Sequence, residues 1–276
     1  MRTLNLLFVS SFLIISCNET KEEAPVTMQK ESNPGVVSAY TAEKYSGPSP
    51  TTPEDTEYYE PVPAKVTPVS AENNVPSDAE ILFDGSNLDA WKSVDNGEAA
   101  KWIINPDGSM TVKDGAGDIE TKERFGDIQL HIEWKNPETP RGEGQHRGNS
   151  GIFLQGKYEL QVLDNYDNPT YVNGQAGSLY KQYPPLVNAA NPSGEWQKYD
   201  IIYHAPQWDK DGNKTKAATI TVLLNGVLVQ DHTVLYGTTE YIGWPKDEKH
   251  GDGPLKLQDH HDNSGVSFRN IWVRKL

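Results

Sequence analysis

The chain has a single cysteine, Cys17, among 276 residues, so no disulfide can close within it. Bases are scarce too: 25 Lys and Arg against 39 Asp and Glu leave a formal charge of −14 at pH 7. No basic patch gathers anywhere, which excludes nucleic acid as a partner. The apolar stretch from Leu4 to Ile15 falls short of the ~20 residues a membrane-spanning helix needs. There is no HExxH string, no paired-cysteine motif and no glycine-rich dinucleotide fingerprint, so no zinc centre is legible and no bound nicotinamide or flavin is implied. Long amphipathic helices and internal repeats are missing as well.

What is present divides into three parts. Arg2, the apolar stretch and Ser16-Cys17 read as a signal peptide over residues 1–16. Cys17, directly after the apolar region, resembles the lipobox cysteine of bacterial lipoproteins, the alternative being a plain signal peptide with a chance cysteine. The acidic run Asn18 to Glu23 resembles export signals that carry some lipoproteins of Bacteroidetes-like bacteria to the outer surface. The expectation is an outer-membrane lipoprotein of the bacterial cell envelope, periplasmic or surface-exposed, touching the membrane through its lipid alone. Residues 17–76 are rich in Pro, Glu, Thr and Ser and cannot bury enough apolar surface to offset their ordering entropy, which predicts a disordered tether. That stretch holds ten acids and four bases after Cys17; with Arg2 counted, about −9 remains for residues 77–276, a length suited to one domain.

Within that domain short strand-like segments recur between turns: Glu80 to Phe83, Lys101 to Ile104, Ser109 to Val112, Asp118 to Thr121, Ile128 to Lys135, Ser150 to Gln155, Tyr158 to Leu163, Tyr199 to Tyr203, Thr219 to Leu224, Val227 to Gln230, Leu255 to Gln258 and Val266 to Arg274. Asn225-Gly226 between two apolar runs is a two-residue hairpin signal, because both positions tolerate positive φ. Many strands and tight turns predict an all-β sandwich or jelly roll.

Two strands carry polar groups on a face that needs explaining. Alternation from Tyr158 sends Tyr158, Leu160 and Val162 one way and Glu159, Gln161 and Leu163 the other, placing a carboxylate beside an amide. In the strand from Asp127 to Trp134, Ile128, Leu130, Ile132 and Trp134 make the apolar face and Gln129, His131 and Glu133 the polar one, which brings Glu133 forward as a third candidate for a polar cleft. Ordinary solvated outer faces would account equally for all three. Of the seven tryptophans, most should serve packing and one or two could stack on sugar rings.

Together the blocks Leu82-Phe83-Asp84-Gly85, Leu88 to Trp91, Gly126 to Glu133, Gly148 to Asp164, Pro184 to Ala189, Gly194 to Asp200, Leu224 to Gln230, Leu257 to His260 and Phe268 to Ile271 follow an order that resembles the 3-keto-disaccharide hydrolase domain family, over residues 79–276. The resemblance implies a concanavalin A-like jelly roll of two curved antiparallel sheets, and cleavage of glycosides whose sugar is oxidised at C3. A C3 ketone acidifies the C2 proton; a base removes it, the C1 substituent departs by β-elimination, and water adds to the enone. Such a substrate requires a separate sugar 3-dehydrogenase upstream. Laminarinase-type glucanases carry E-x-D-x-x-E on the equivalent strand, whereas Glu159 to Asp164 reads E-x-Q-x-x-D, which speaks against two-carboxylate chemistry. The alternative is a carbohydrate-binding module without catalysis.

For the base, His260 is the first candidate, since neutral imidazole has a suitable pKa and the residue follows a strand end; a wet loop would explain it equally. Glu133 and Glu159 are the candidate catalytic carboxylates, and Arg147 a candidate enolate stabiliser on the Gly-rich loop 141–147. Asn149, Gln161, Asp164, His146, Gln258 and Tyr180 are candidate substrate contacts. No particular cofactor is indicated, though Glu133, Glu159 and Gln161 with Asn149 and Asp164 could hold a divalent cation as a Lewis acid. Arg269 reads as a structural partner for one of these acids.

Overall fold

A computed structural model of the chain describes residues 49–57, 59–70 and 74–276. The expected signal peptide, Cys17 and most of the expected tether lie outside the described residues. The chain divides into two compact units, residues 1–62 and 63–276. In the first, the described residues are exposed and hold one 3-10 turn, Pro53–Thr56, closed by Asp55, whose carboxylate accepts from the Thr51 and Thr52 backbone N–H groups. Among the described residues no helix is long and apolar enough to cross a membrane.

The second unit is a jelly-roll β-sandwich in which every strand pair is antiparallel. The larger sheet runs β13 (Val227–Val234), β12 (Thr219–Leu224), β9 (Gln197–His204), β6 (Ile128–Lys135), β15 (Ser267–Lys275), β4 (Met110–Thr111), β3 (Ile103–Ile104), with β1 (Glu80–Phe83) also on β15. The smaller sheet runs β2 (Trp91–Ser93), β5 (Ile119–Thr121), β14 (Lys256–Leu257), β7 (Ser150–Leu154), β8 (Tyr158–Val162). β10 (Gln207–Trp208) and β11 (Lys214–Lys216) pair apart; these two and β2 are the strands not anticipated from sequence, being too short to show alternation.

One apolar core lies between the sheets. Ile128, Leu130, Ile132 and Trp134 of β6 meet Ile152 and Leu154 of β7 and Leu160 and Val162 of β8 in it, as their alternation requires. Each fully buried Leu or Ile contributes roughly 1.5–3 kcal/mol. The hairpin Leu224–Val227 turns on Asn225 (φ 53°) and Gly226 (φ 81°), both left-handed. In β15 the core residues Phe268, Ile271 and Val273 are spaced three and then two apart; the register shift against β6 and the left-handed Asn270 (φ 49°) form a bulge there, turning Arg269 and Asn270 together toward the outer face. Leu163 joins the core instead of the polar side expected for it, because β8 ends at Val162 and strict alternation ends with it.

Two tyrosines couple the sheets. Tyr199, fully buried on β9, donates its hydroxyl to the Gln161 carbonyl at 2.8 Å, and Tyr203 donates to Gln155 Oε1 at 2.8 Å. Burial pushes both phenols far above their ordinary pKa, so they stay neutral donors. Tyr199→Phe is expected to cost about 1 kcal/mol, the net worth of a buried hydrogen bond, read as a lower urea midpoint at unchanged m; an unchanged midpoint would show that the Gly177 N–H, 3.2 Å from the same carbonyl, satisfies it alone.

Candidate functional site

Strand β8 is buried on both faces. Its inner side chains fill the core, and residues 177–183 bond along its free edge: Gln161 N–H to Ser178 O, Gly177 N–H to Gln161 O and Tyr180 N–H to Glu159 O. The register sets Glu159 beside Phe153, and Gln161 beside Gly151, on that outer side, while Gln258, whose N–H donates to Gly151 O, extends the row beyond β7. A cavity of about 210 Å³ opens here, lined by Asn149, Phe153, Glu159, Gln161, Tyr180, Thr239, Tyr241, Gln258 and His260. Gly151 is required beneath it, since a methyl group there would fall 2.6 Å from Glu159 Oε1 and 2.7 Å from the Phe153 ring.

Glu159 is 5% exposed. Burial raises its pKa from 4.5 to about 8, with Lys256 pulling down and Asp118 pushing up, so the carboxyl is largely protonated at neutral pH. Two amide oxygens of the same cavity, Gln161 Oε1 and Gln258 Oε1, are buried without a partner. The Gln161 amide nitrogen, by contrast, is fixed by donating to Gln145 Oε1 and Asn149 Oδ1. Two unsatisfied acceptors beside a neutral carboxyl form a surface that takes hydroxyl donors.

His260 is presented by a braced turn. Asp259 accepts from the Gly117 and His261 N–H groups, its own N–H donates to Asp118, and Asp118 also pairs with Lys256 at 2.8 Å. His261 (φ 55°) and Asn263 (φ 54°) carry the chain round. His260 Nδ1 lies 2.8 Å from Asp262 Oδ2 and Nε2 lies 3.3 Å from the Asn149 amide nitrogen. The carboxylate accepts and the amide donates, which assigns the proton to Nδ1 and makes Nε2, at the cavity wall, the acceptor of the Asn149 N–H. This is the geometry of an imidazole base oriented by a carboxylate.

The structure thus brings Glu159, Gln161, Asn149, Gln258, Tyr180 and His260 together. His146 borders them, its ring 6.4 Å from that of His260. Three expected members lie elsewhere. Glu133 is on the outer face of the other sheet, where Arg269 (2.7 Å) and Asn270 (3.1 Å) bond it and His131 lies 3.6 Å away, so it shares no cleft with Glu159. Burial works against its charge, but the bonds from His131, Arg269 and Asn270 win and hold it at about 2. The expected pairing of Arg269 is with this residue. Arg147 does not face the cavity: Asp164 (2.9 Å), the Tyr166 and Asp167 carbonyls and Ser193 consume its guanidinium. Asp164 is occupied by the same pairing and by Ser193 at 2.7 Å, so it contacts no ligand space either. The proposed cation ligands are accordingly scattered, and among the described residues no group of three or more His, Cys, Asp or Glu is placed to hold a metal ion. Sequence reading missed Phe153, Thr239, Tyr241 and Asp262; of these only Asp262, two residues after a candidate base, carried a usable signal.

The model of the 3-keto-alpha-glucoside-1,2-lyase-like domain matches residues 78–274. A 3-keto-disaccharide hydrolase of Bacteroides thetaiotaomicron is 28% identical over 250 residues, covering 73% of this chain and 81% of that protein. A crystal structure from Parabacteroides distasonis, provisionally named a glycosyl hydrolase, is 54% identical with a TM-score of 0.79, covering 84% of this chain and 99% of its own. A second from that organism, named likewise, is 24% identical with a TM-score of 0.53 over 77% of this chain and all of its own, and shares the fold.

The raised Glu159 pKa has a consequence for stability. The unfolded carboxyl ionises near 4.5 and the folded one near 8, so stability from the protonated form is complete below 4.5 and lost as pH rises to about 8. Between pH 5 and 8, Glu159→Gln should gain stability relative to the natural protein in denaturant titrations. Parallel profiles for the two would show that Glu159 ionises normally.

Proposed function

Since the chain belongs to the 3-keto-alpha-glucoside-1,2-lyase-like domain family, we propose that it cleaves 3-keto-glycosides by proton abstraction and elimination, with His260 as base and Glu159 as acid. His260 Nε2 takes the C2 proton. The electron pair forms the enolate with the C3 ketone, then moves into a C1–C2 double bond as the C1–O bond breaks. Glu159 gives its proton to the departing oxygen. Addition of water at C1 and return of a proton to C2 complete a net hydrolysis, with His260 and Glu159 restored in reverse roles.

The observation that carries this reading is a protonated, buried carboxyl in the same cavity as an imidazole oriented by Asp262. A binding module needs neither. Hydrolysis through an oxocarbenium ion needs two carboxyl groups flanking the bond, and Glu159 is the one acid among the nine residues lining the cavity. The Gln161 and Gln258 oxygens are suited to sugar hydroxyls, while the Asn149 amide, bonded to Gln145 O, His260 Nε2 and the Gln161 amide, orients the base. The ketone must be made beforehand by a sugar 3-dehydrogenase. A position at the outer membrane rests on the Cys17 segment alone.

The purified protein, given a 3-keto-glucoside and its unoxidised parent with and without chelator, should release the aglycone from the keto form only; the chelator arm decides whether a cation from solution takes part. His260→Ala should lower kcat/KM by about 10²- to 10⁴-fold at unchanged fold, the usual worth of a positioned base, and Asp262→Asn should fall between it and the natural protein. Natural rates in His260→Ala, or equal release from the unoxidised parent, would overturn the mechanism.

A further inference from the structure

The loop 238–246 next to the cavity carries side chains that a soluble surface has no reason to display. Trp244 is 91% exposed, Ile242 83% and Tyr241 74%. The other tryptophans are used: Trp91, Trp102 and Trp134 in the core, Trp272 stacked on His131, Trp196 under the Arg269 guanidinium at 3.9 Å and Trp208 edge-on to His250 at 6.1 Å. The loop is nevertheless held in place. Thr238 N–H donates to Lys246 O at 2.9 Å and Lys246 pairs with Glu240 at 3.2 Å, closing its neck. Thr239 donates its N–H to Lys157 O and accepts the Glu159 N–H on its hydroxyl, both at 2.9 Å, and Lys181 Nζ donates to Tyr241 O at 2.6 Å.

Behind Trp244 lies a second, open cavity of about 530 Å³, with Tyr171, Tyr180, Asn173, Glu240 and Pro245 on its walls. Tyr180 lines both cavities. The inner cavity, about 210 Å³, is smaller than the ~300–1,000 Å³ that holds a drug-sized ligand and suits a single ring. An exposed indole with polar groups around it is a surface for the apolar C–H face of a sugar whose hydroxyls stay wet. On the proposed activity, therefore, we infer that the Trp244 loop is the binding platform for the leaving half of the substrate, a second sugar ring stacked on Trp244.

The test compares a 3-keto-disaccharide with the methyl 3-keto-glucoside, for the natural protein, Trp244→Ala and Trp244→Phe. Trp244→Ala should lower kcat/KM at least tenfold for the disaccharide, mainly through KM, and leave the methyl glucoside unchanged; Trp244→Phe should restore part of the loss. Equal effects on both substrates, or none on either, would overturn the platform. Calorimetric titration with the unoxidised disaccharide and methyl glucoside separates the two layers of the argument. If no keto-glycoside is cleaved but the disaccharide binds the natural protein and not Trp244→Ala, the platform stands and the chemistry fails; absence of disaccharide binding together with absence of cleavage would sink both.

Discussion

Much of this protein's chemistry follows from one constraint, that β8 has no wet face. Its inner residues belong to the core, residues 177–183 close its free edge, and Phe153, Tyr180 and Tyr241 stand around Glu159 on the outer side, so that the residue is only 5% exposed and its carboxyl has neither full hydration nor a bound partner to keep its charge. Taking an unpaired carboxylate out of water costs several kcal/mol, and the group accepts a proton instead. The rigid sandwich beneath holds it in that condition: Gly151 leaves the room, Phe153 the apolar wall, and Tyr199 ties the strand from below. A carboxyl that keeps its proton at neutral pH is thus a product of sheet packing.

The two outer faces make an instructive contrast. Glu133 and His131 are also largely buried polar groups on a strand, and each is held by several partners. Burial lowers His131, but its bonds to Asp200 and Glu133 prevail and hold it at about 8, so it stays a cation between two anions. Such a closed network has no capacity left for a ligand. Around Glu159 the reverse holds, with two amide oxygens idle and a carboxyl without hydrogen bonds. Polar groups that are satisfied within the fold serve the fold; those left open serve something that arrives later.

The same contrast explains how far the sequence could be read. The strand segments of β6 and β12 are legible to the residue because their apolar residues recur at every second position against one core, β1 is legible as a short apolar run bounded by turn residues, and the Asn225-Gly226 turn follows from left-handed φ alone. Glu159 and Gln161 were recognisable as polar groups on a strand whose neighbours are apolar. Which acid joined them was not legible, since Glu133 shows the identical pattern and only sheet order separates the two. Arg147 and Asp164 each read as reactive in isolation; their mutual bond is formed by two loops seventeen residues apart, which no periodicity records. Phe153 and Tyr241 reach the cavity through strand register and a loop return, both long-range facts.

The attachment of Thr239 to β8 has one more implication. Its two bonds join backbone groups of residues 157 and 159 to the base of the exposed loop, and neither involves a side chain near the tip. Changes at residues 242–245 therefore leave untouched the bonds that hold Glu159 in its place. The anchor and the display of this loop are thus mechanically separate, and the surface around Trp244 can vary without moving the strand beneath it.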